Sequence, residues 1–229
     1  MSFLGVSDRK EASLVCHAWY EASLDPALQR NIIVNFAYEK TEEILSTFCR
    51  RRLTHLALSH FDNTSVTKNA ILRTCELASD YLRTLSLKDS NITEGTLVQL
   101  LTRCPQLTSL DLAGCNSLFM AGTLLNDQMQ VRQLRETMKN VIELNLSSLR
   151  YLSDCSFSRM MAIFPSLQRL LLASTQITFN GHAYYPSNAT VFDNSAVFTF
   201  RCLQRYLKDS VGHIKALNLS RTTINNQVQ

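Results

Sequence analysis

Six stretches of the chain share one unusual spacing of apolar positions. Leucine-type residues fall at the first, fourth and sixth places, with polar or small residues between them. They are "LTHLALS" (Leu53, Leu56, Leu58), "LRTLSLK" (Leu82, Leu85, Leu87) and "LTSLDLA" (Leu107, Leu110, Leu112), then "VIELNLS" (Val141, Leu144, Leu146), "LQRLLLA" (Leu167, Leu170, Leu172) and "IKALNLS" (Ile214, Leu217, Leu219). A helix needs apolar residues every third or fourth place over several turns, and a half-buried strand needs strict alternation. Neither template fits a step of three followed by a step of two. The six starts lie 29, 25, 34, 26 and 47 residues apart, so a single unit recurs, and two intervals carry extra residues.

The spacing, followed in the third copy by Cys115, is similar to the strand-and-turn segment of a leucine-rich repeat, where a short strand leads into a turn plugged by a small residue. The stretches between copies read as helices: "NAILRTCELASDY", "TEGTLVQLLTRC" and "SDCSFSRMMAIF", with Thr93 and Ser153 as caps. A strand and a helix in every unit predict an α/β solenoid, with parallel strands on the concave face and helices outside. Alternation along each strand turns the residues between the leucines toward the concave face. The candidate partner-facing residues there are His55, Lys88, Asp111, Glu143, Asn145, Arg169 and Asn218. The interval after the fifth copy, residues 178–199, is rich in aromatics (Tyr184, Tyr185, Phe192, Phe198). Long loops often carry function and Tyr is a favoured interface anchor, so Tyr184 and Tyr185 join the candidates.

A different pattern precedes the first repeat. Ser7 reads as a helix cap, and Ala12, Val15, Cys16, Trp19 and Ala22 then recur at helical spacing, predicting one amphipathic helix. Asp25 and Pro26 open a second, with Leu28, Ile32 and Ile33 as its apolar positions. A third begins at Thr41, with Glu42 and Glu43 near the positive end of its dipole and Arg50, Arg51 and Arg52 at the other end.

Composition narrows the function classes. The net charge of +4, from 23 basic and 19 acidic residues, gives no footprint of nucleic-acid size, and the three arginines lack interleaved aromatics. No apolar run approaches the roughly 20 residues that span a bilayer, so neither a nucleic acid nor a membrane is expected as partner. Seven cysteines without a C-x-x-C pair, and no visible secretory segment, point to a reducing compartment, the cytoplasm or nucleus. Five Asn-x-Ser/Thr triplets read as chance, since Asn145 and Asn218 fall inside strand signatures. Adjacent Cys16 and His17 would point about 100° apart on a helix, a poor arrangement for nucleophile and base, and His60 with Asp62 reads as a solvated turn. No phosphate loop or zinc spacing appears, so no cofactor, metal or catalytic residue is expected.

The string "SLVCHAWYEASLDPAL", residues 13–28, resembles the second half of an F-box: a hydrophobic pair (Leu14, Val15), a Cys (Cys16), a Trp three residues on (Trp19), then a loop into a further helix carrying Leu28. An F-box followed by leucine-rich repeats resembles the substrate receptors of Skp–cullin–F-box ubiquitin ligases. The resemblance implies a partial F-box over residues 1–40, a connecting helix over 41–52 and a solenoid of about six repeats over 53–229. It also implies docking on the Skp adaptor, and through it on a cullin, while the solenoid holds an unknown protein substrate. Catalysis would then be proximity, supplied by a conjugating enzyme elsewhere in the complex. In the family a Leu-Pro helix opens the F-box, where this sequence has "MSFLG", and no return helix follows the sixth copy. A piece of a longer receptor is therefore expected, with Val15, Cys16 or Trp19 left open to solvent. The alternative is a repeat scaffold without a ligase role, its first helices serving only as a cap.

Overall fold

A computed structural model of the chain describes residues 6–25, 33–35, 49, 52, 54–58, 61, 62, 64–178, 197–210 and 212–222. Within them, two short helices, α1 (Val6–Ala12) and α2 (His17–Ser23), precede strand β1 (Ile33–Asn35) and β2 (His55–Ala57). Helices and strands then alternate: α3 (Ser65–Leu77), β3 (Thr84–Ser86), α4 (Glu94–Arg103), β4 (Ser109–Asp111), α5 (Gln128–Thr137), β5 (Glu143–Asn145), α6 (Asp154–Ala162), β6 (Arg169–Leu171), α7 (Phe200–Asp209) and β7 (Ala216–Asn218). The strands form one sheet in sequence order, every pair parallel.

All six leucine signatures lie on strands, and their middle leucines share one register, with Leu56, Leu85, Leu110, Leu144, Leu170 and Leu217 aligned across the sheet. In β2 to β5 the middle residue is buried and its two neighbours are partly exposed, as the three-then-two spacing requires. The flanking apolar residues of the second to fifth signatures also turn inward: Leu82, Leu87, Leu107, Leu112, Val141, Leu146, Leu167 and Leu172 are all buried. From the other side come Leu97, Leu100 and Leu101 of α4, Val131 and Leu134 of α5, and Phe157, Met160 and Met161 of α6. One apolar core thus runs the length of the repeats, and each buried leucine contributes about 1.5–3 kcal/mol over its exposed state.

The turn after each strand follows a common plan. The third residue past the strand is left-handed in five successive units: Asp89 (φ 54°), Gly114 (71°), Ser148 (59°), Ser174 (58°) and Arg221 (57°). That conformation lets the backbone ladder continue beyond the strands. The amides of Asp89, Gly114, Ser148 and Ser174 donate to the carbonyls of Ala113, Ser147, Ala173 and Ser220 at 2.8–2.9 Å. At the next position a small polar side chain plugs the interior: Ser90 Oγ donates to the Leu58 carbonyl, Cys115 Sγ to Leu87 and Thr175 Oγ1 to Leu146, at 3.2, 2.9 and 2.9 Å. Each reaches the residue that follows the preceding strand, so the plugs stitch adjacent units together. The turn role read for Cys115 holds. Its burial pushes the thiol up to about 12, so it stays a protonated donor.

Connection lengths are asymmetric. Helix-to-strand links (78–83, 104–108, 138–142, 163–168, 210–215) are five or six residues long. Strand-to-helix links have seven or eight residues at 58–64, 87–93 and 146–153, but 16 at 112–127; 28 residues separate β6 from α7, and 179–196 among them lie outside the described residues. From α3 onward, the longer described connection lies on the carboxyl side of a strand, after β4.

Two expectations about the amino-terminal part change. The single amphipathic helix is broken: α1 closes in a tight turn, with Leu14 and Val15 amides bonded to Glu11 and Ala12 carbonyls, and Cys16 is extended (φ −159°, ψ 165°) before α2 starts. Bonds of this i to i+3 type wind a helix end too tightly to carry the stripe onward. Ile33, read as an apolar position of a second helix, stands in β1. The β-branched run Ile32-Ile33-Val34 favours an extended backbone, and pairing with β2 supplies its hydrogen bonds. The third helix reading, from Thr41, lies almost wholly outside the described residues.

Candidate protein-interaction surfaces

The concave sheet presents the residues that flank each middle leucine. Along one row stand His55, Thr84, Ser109, Glu143, Arg169 and Ala216, and along the other Ala57, Ser86, Asp111, Asn145, Leu171 and Asn218. Much of this polarity is used internally. Asp111, Asn145 and Asn218 each accept, through Oδ1, the amide two residues ahead (Ala113, Ser147, Ser220) at 2.9–3.0 Å. These Asx turns bend the chain off the strand into the left-handed column. Asp111 also accepts from Ser86 Oγ at 3.0 Å. The three residues read as partner-facing therefore shape the turn as well as lining the sheet.

Glu143 and Arg169 are cross-strand partners, the guanidinium giving both Nε and Nη2 to Glu143 Oε2 at 2.9 and 2.7 Å. A solvent-facing pair of this kind contributes about 0–1 kcal/mol. His55 lies 2.7 Å from Thr54 Oγ1 through Nδ1, and burial lowers its pKa, favouring the neutral ring. Lys88 is exposed in the turn after β3. Tyr184, Tyr185 and Leu28 lie outside the described residues.

A second surface lies on the first two helices. Ala12, Ser13 and Ser23 are buried, yet Leu14 is 80% exposed, Val15 68% and Trp19 49%, with Cys16 open beside them. The exposure expected at Val15, Cys16 and Trp19 is present, and it extends to Leu14. Three large apolar side chains within six residues make a compact patch, and such patches mark contact sites more often than chance surface. His17 faces Glu21 one turn on, at 3.5 Å. Asp62 accepts the Thr64 amide at 3.1 Å, and His60 lies outside the described residues.

Three further cysteines sit in packing positions, while Cys49 and Cys155 are half-buried. Cys75, Cys104 and Cys202 are buried. Cys75 is held protonated by its hydrogen bond with Cys104 and by burial. Among the described residues there is no cluster of three or more metal-ligating side chains, and no helix is long and apolar enough to cross a membrane.

Met120, Arg150 and Tyr151 were not among the residues read from the sequence as partner-facing. They are exposed in the strand-to-helix links after β4 and β5. The one sequence signal toward the first is the 34-residue interval between the third and fourth signatures; Arg150 and Tyr151 carry none.

A family profile described as "FBD-associated F-box protein At5g56370, LRR repeats" matches residues 16–143. The match begins at Cys16, the residue before α2, and runs through β4 to Glu143, the first residue of β5. No curated protein matches the chain closely enough to count as a relative.

Proposed function

This chain belongs to the family of FBD-associated F-box proteins with leucine-rich repeats, and from that premise we propose that it is the substrate-recognition subunit of a Skp–cullin–F-box ubiquitin ligase. The observation that carries the reading is the exposed Leu14, Val15 and Trp19 patch, ahead of a repeat solenoid, at the positions where the sequence resembles an F-box. We assign a partial F-box to about the first 40 residues, a connecting stretch to 41–52 and the solenoid to 53–229, with β1 adding a strand ahead of the first leucine signature. Leu14, Val15, Cys16 and Trp19, with Leu28, are the adaptor-facing set.

The mechanism needs no catalytic group in this chain. The adaptor and cullin bring a charged conjugating enzyme, and the solenoid fixes a protein substrate nearby. Transfer to a substrate lysine then proceeds at a high effective concentration. Cytoplasm and nucleus are the compartments where this assembly would act.

The test is co-purification with the Skp adaptor. Leu14, Val15 and Trp19 stand in solvent, so Trp19→Ala should remove adaptor binding while leaving the melting temperature within a few degrees of the parent. Retention of the adaptor by Trp19→Ala, or failure of the folded parent to bind it, would leave a repeat scaffold without a ligase role.

A further inference from the structure

Positive charge is concentrated in one unit of the solenoid. Between Phe200 and Thr222, which span α7, β7 and the turn after it, stand five basic side chains, Arg201, Arg205, Lys208, Lys215 and Arg221, against the single acidic Asp209. The rest of the chain balances, with 18 side chains of each sign, so this unit carries the whole net charge of +4. All five cations are exposed, and none has an ion-pair partner among the described residues. Elsewhere on the sheet a cation does find its counterion, as Arg169 finds Glu143.

The same unit has an open main-chain edge. In earlier units the last leucine of the signature and the left-handed residue two places on both donate their amides to the next unit. Leu87 and Asp89 donate to Asp111 and Ala113, Leu146 and Ser148 to Leu171 and Ala173, and Leu172 and Ser174 to Asn218 and Ser220, all at 2.8–2.9 Å. At the other end of each strand, the carbonyl of the signature's second residue accepts two amides of the next unit, as Gln168 accepts from Lys215 and Ala216 at 2.8 and 3.1 Å. In the β7 unit the equivalent groups are the Leu219 and Arg221 amides and the Lys215 carbonyl. Among the described residues these three meet no partner. Leu217, the middle leucine of this unit, is exposed beside them. A row of unpaired amides and carbonyls along a strand is a template for another strand.

From this coincidence of an open ladder with unpaired positive charge, we infer that β7 docks an acidic, extended segment of a partner protein, which adds to the sheet as a further strand. The three main-chain groups hold the segment's backbone, as in other cases of strand addition. Lys215 stands just before β7 and Arg221 three residues past it, so the segment's carboxylates fall toward its two ends, in charge-assisted pairs. An apolar residue midway continues the leucine row beside Leu217. A second copy of this chain fits less well, because two copies meeting at β7 would bring their basic units together. The phosphates of a nucleic acid would meet the cations but supply no donor to the Lys215 carbonyl. The inference rests on the reading that the solenoid holds a protein partner, and it gives that partner's chemistry and its place on the sheet edge.

The probe is a fluorescein-labelled peptide of alternating valine and threonine with glutamates at both ends, titrated with the full chain and read by fluorescence anisotropy. One control peptide carries lysines in place of the glutamates. Another keeps the glutamates but has every internal backbone nitrogen methylated, which removes its main-chain donors and leaves its charge. The acidic peptide should bind, and both controls should bind about tenfold or more weakly. Lys215→Glu with Arg221→Glu should weaken the acidic peptide by about tenfold or more, whereas Lys88→Glu, an exposed cation in the turn after β3, should leave it unchanged. The substituted side chains are exposed, so circular dichroism should show both variants folded. Equal binding of the methylated peptide, or of an oligothymidylate of the same charge, would reduce the site to a bare cationic surface and overturn the strand. A dimer in sedimentation that excludes the peptide would make a second copy the occupant. Equal binding by the two variants, or no saturation by about 1 mM chain, would overturn the site itself. Because no adaptor enters this measurement, a chain that fails to bind Skp can still pass it, and one that binds Skp can still fail it.

Discussion

At the scale of single residues, the repeat is held by the column of plugs rather than by leucines alone. Ser90, Cys115 and Thr175 differ in chemistry, yet each donates to the carbonyl that follows the strand of the preceding unit. After β3, β4 and β6 the position holds a small side chain with one donor; β2's equivalent lies at Phe61, which is apolar. Leu149 stands at the equivalent place after β5, where an apolar side chain contributes packing without that bond. Cys115→Ser should therefore cost little, because the hydroxyl replaces the thiol as donor. Cys115→Ala should lower stability by about 1–2 kcal/mol, from a lost buried hydrogen bond and a small void, measured as a shift in the urea midpoint at unchanged slope. The thiol is fully buried, and its pKa stands at about 12, so it should also resist iodoacetamide at pH 8 in the folded protein. Equal midpoints for the Ser and Ala variants would remove the hydrogen bond from this account. The plug was legible in the sequence because Cys115 closes the signature. The partners of Asp111 and Asn145 were not, because an Asx turn and an open polar side chain look alike until the backbone two residues ahead is placed.

At the scale of elements, the sequence was readable where a local signal and the packing agree. Thr93 and Ser153 cap α4 and α6 as their positions imply, each hydroxyl accepting the amide three residues on. Ser153 goes further, forming a capping box in which Ser156 Oγ accepts the Ser153 amide at 3.0 Å. Ser153 and Ser156 are both buried, so no water can take over these bonds, and Ser153→Ala should cost about 1–2 kcal/mol. Ser153→Thr should recover most of it, and thermal melts of the two variants compare them directly. A Ser153→Ala protein as stable as the parent would mean that packing of Phe157 and Met160 alone fixes the helix start. The amino-terminal elements were harder to read. Helical spacing from Ala12 to Ala22 looks continuous on paper, but it cannot register that Cys16 is extended. Likewise the apolar pair Ile32-Ile33 suits a helix face or a strand, and only the open edge of β2 decides between them. The residues Met120, Arg150 and Tyr151 escaped notice for a related reason: exposure in a pinned link depends on bonds from repeats on either side, which no local pattern encodes.

At the scale of the whole molecule, stability should be distributed as in a one-dimensional array, where each unit is held by its own contacts and those of its neighbours. The middle leucines of β2 to β6 are at most 1% exposed, whereas Leu217 in β7 is 36% exposed and all three residues of β7 are open to solvent. Buried apolar contact is what resists local opening. Amide hydrogen exchange should therefore be slowest across β3 to β6 and clearly faster in β7, although β7 makes the same parallel ladder with β6. Two substitutions sharpen the expectation. Leu144→Ala, in a strand with neighbours on both sides, should cost about 2–5 kcal/mol and speed exchange in β4 and β6 as well as in β5. Leu217→Ala should cost well under half as much and change exchange mainly in β7 and its link to α7. If both variants instead loosened the whole sheet equally, the repeats would fold as one indivisible unit rather than as an array of neighbours. If the effects stay local, the bonds that Glu94 and Arg159 give to the backbone of Leu125, Gly122 and Leu124 are sufficient to hold the link after β4 in shape, whatever happens at β7.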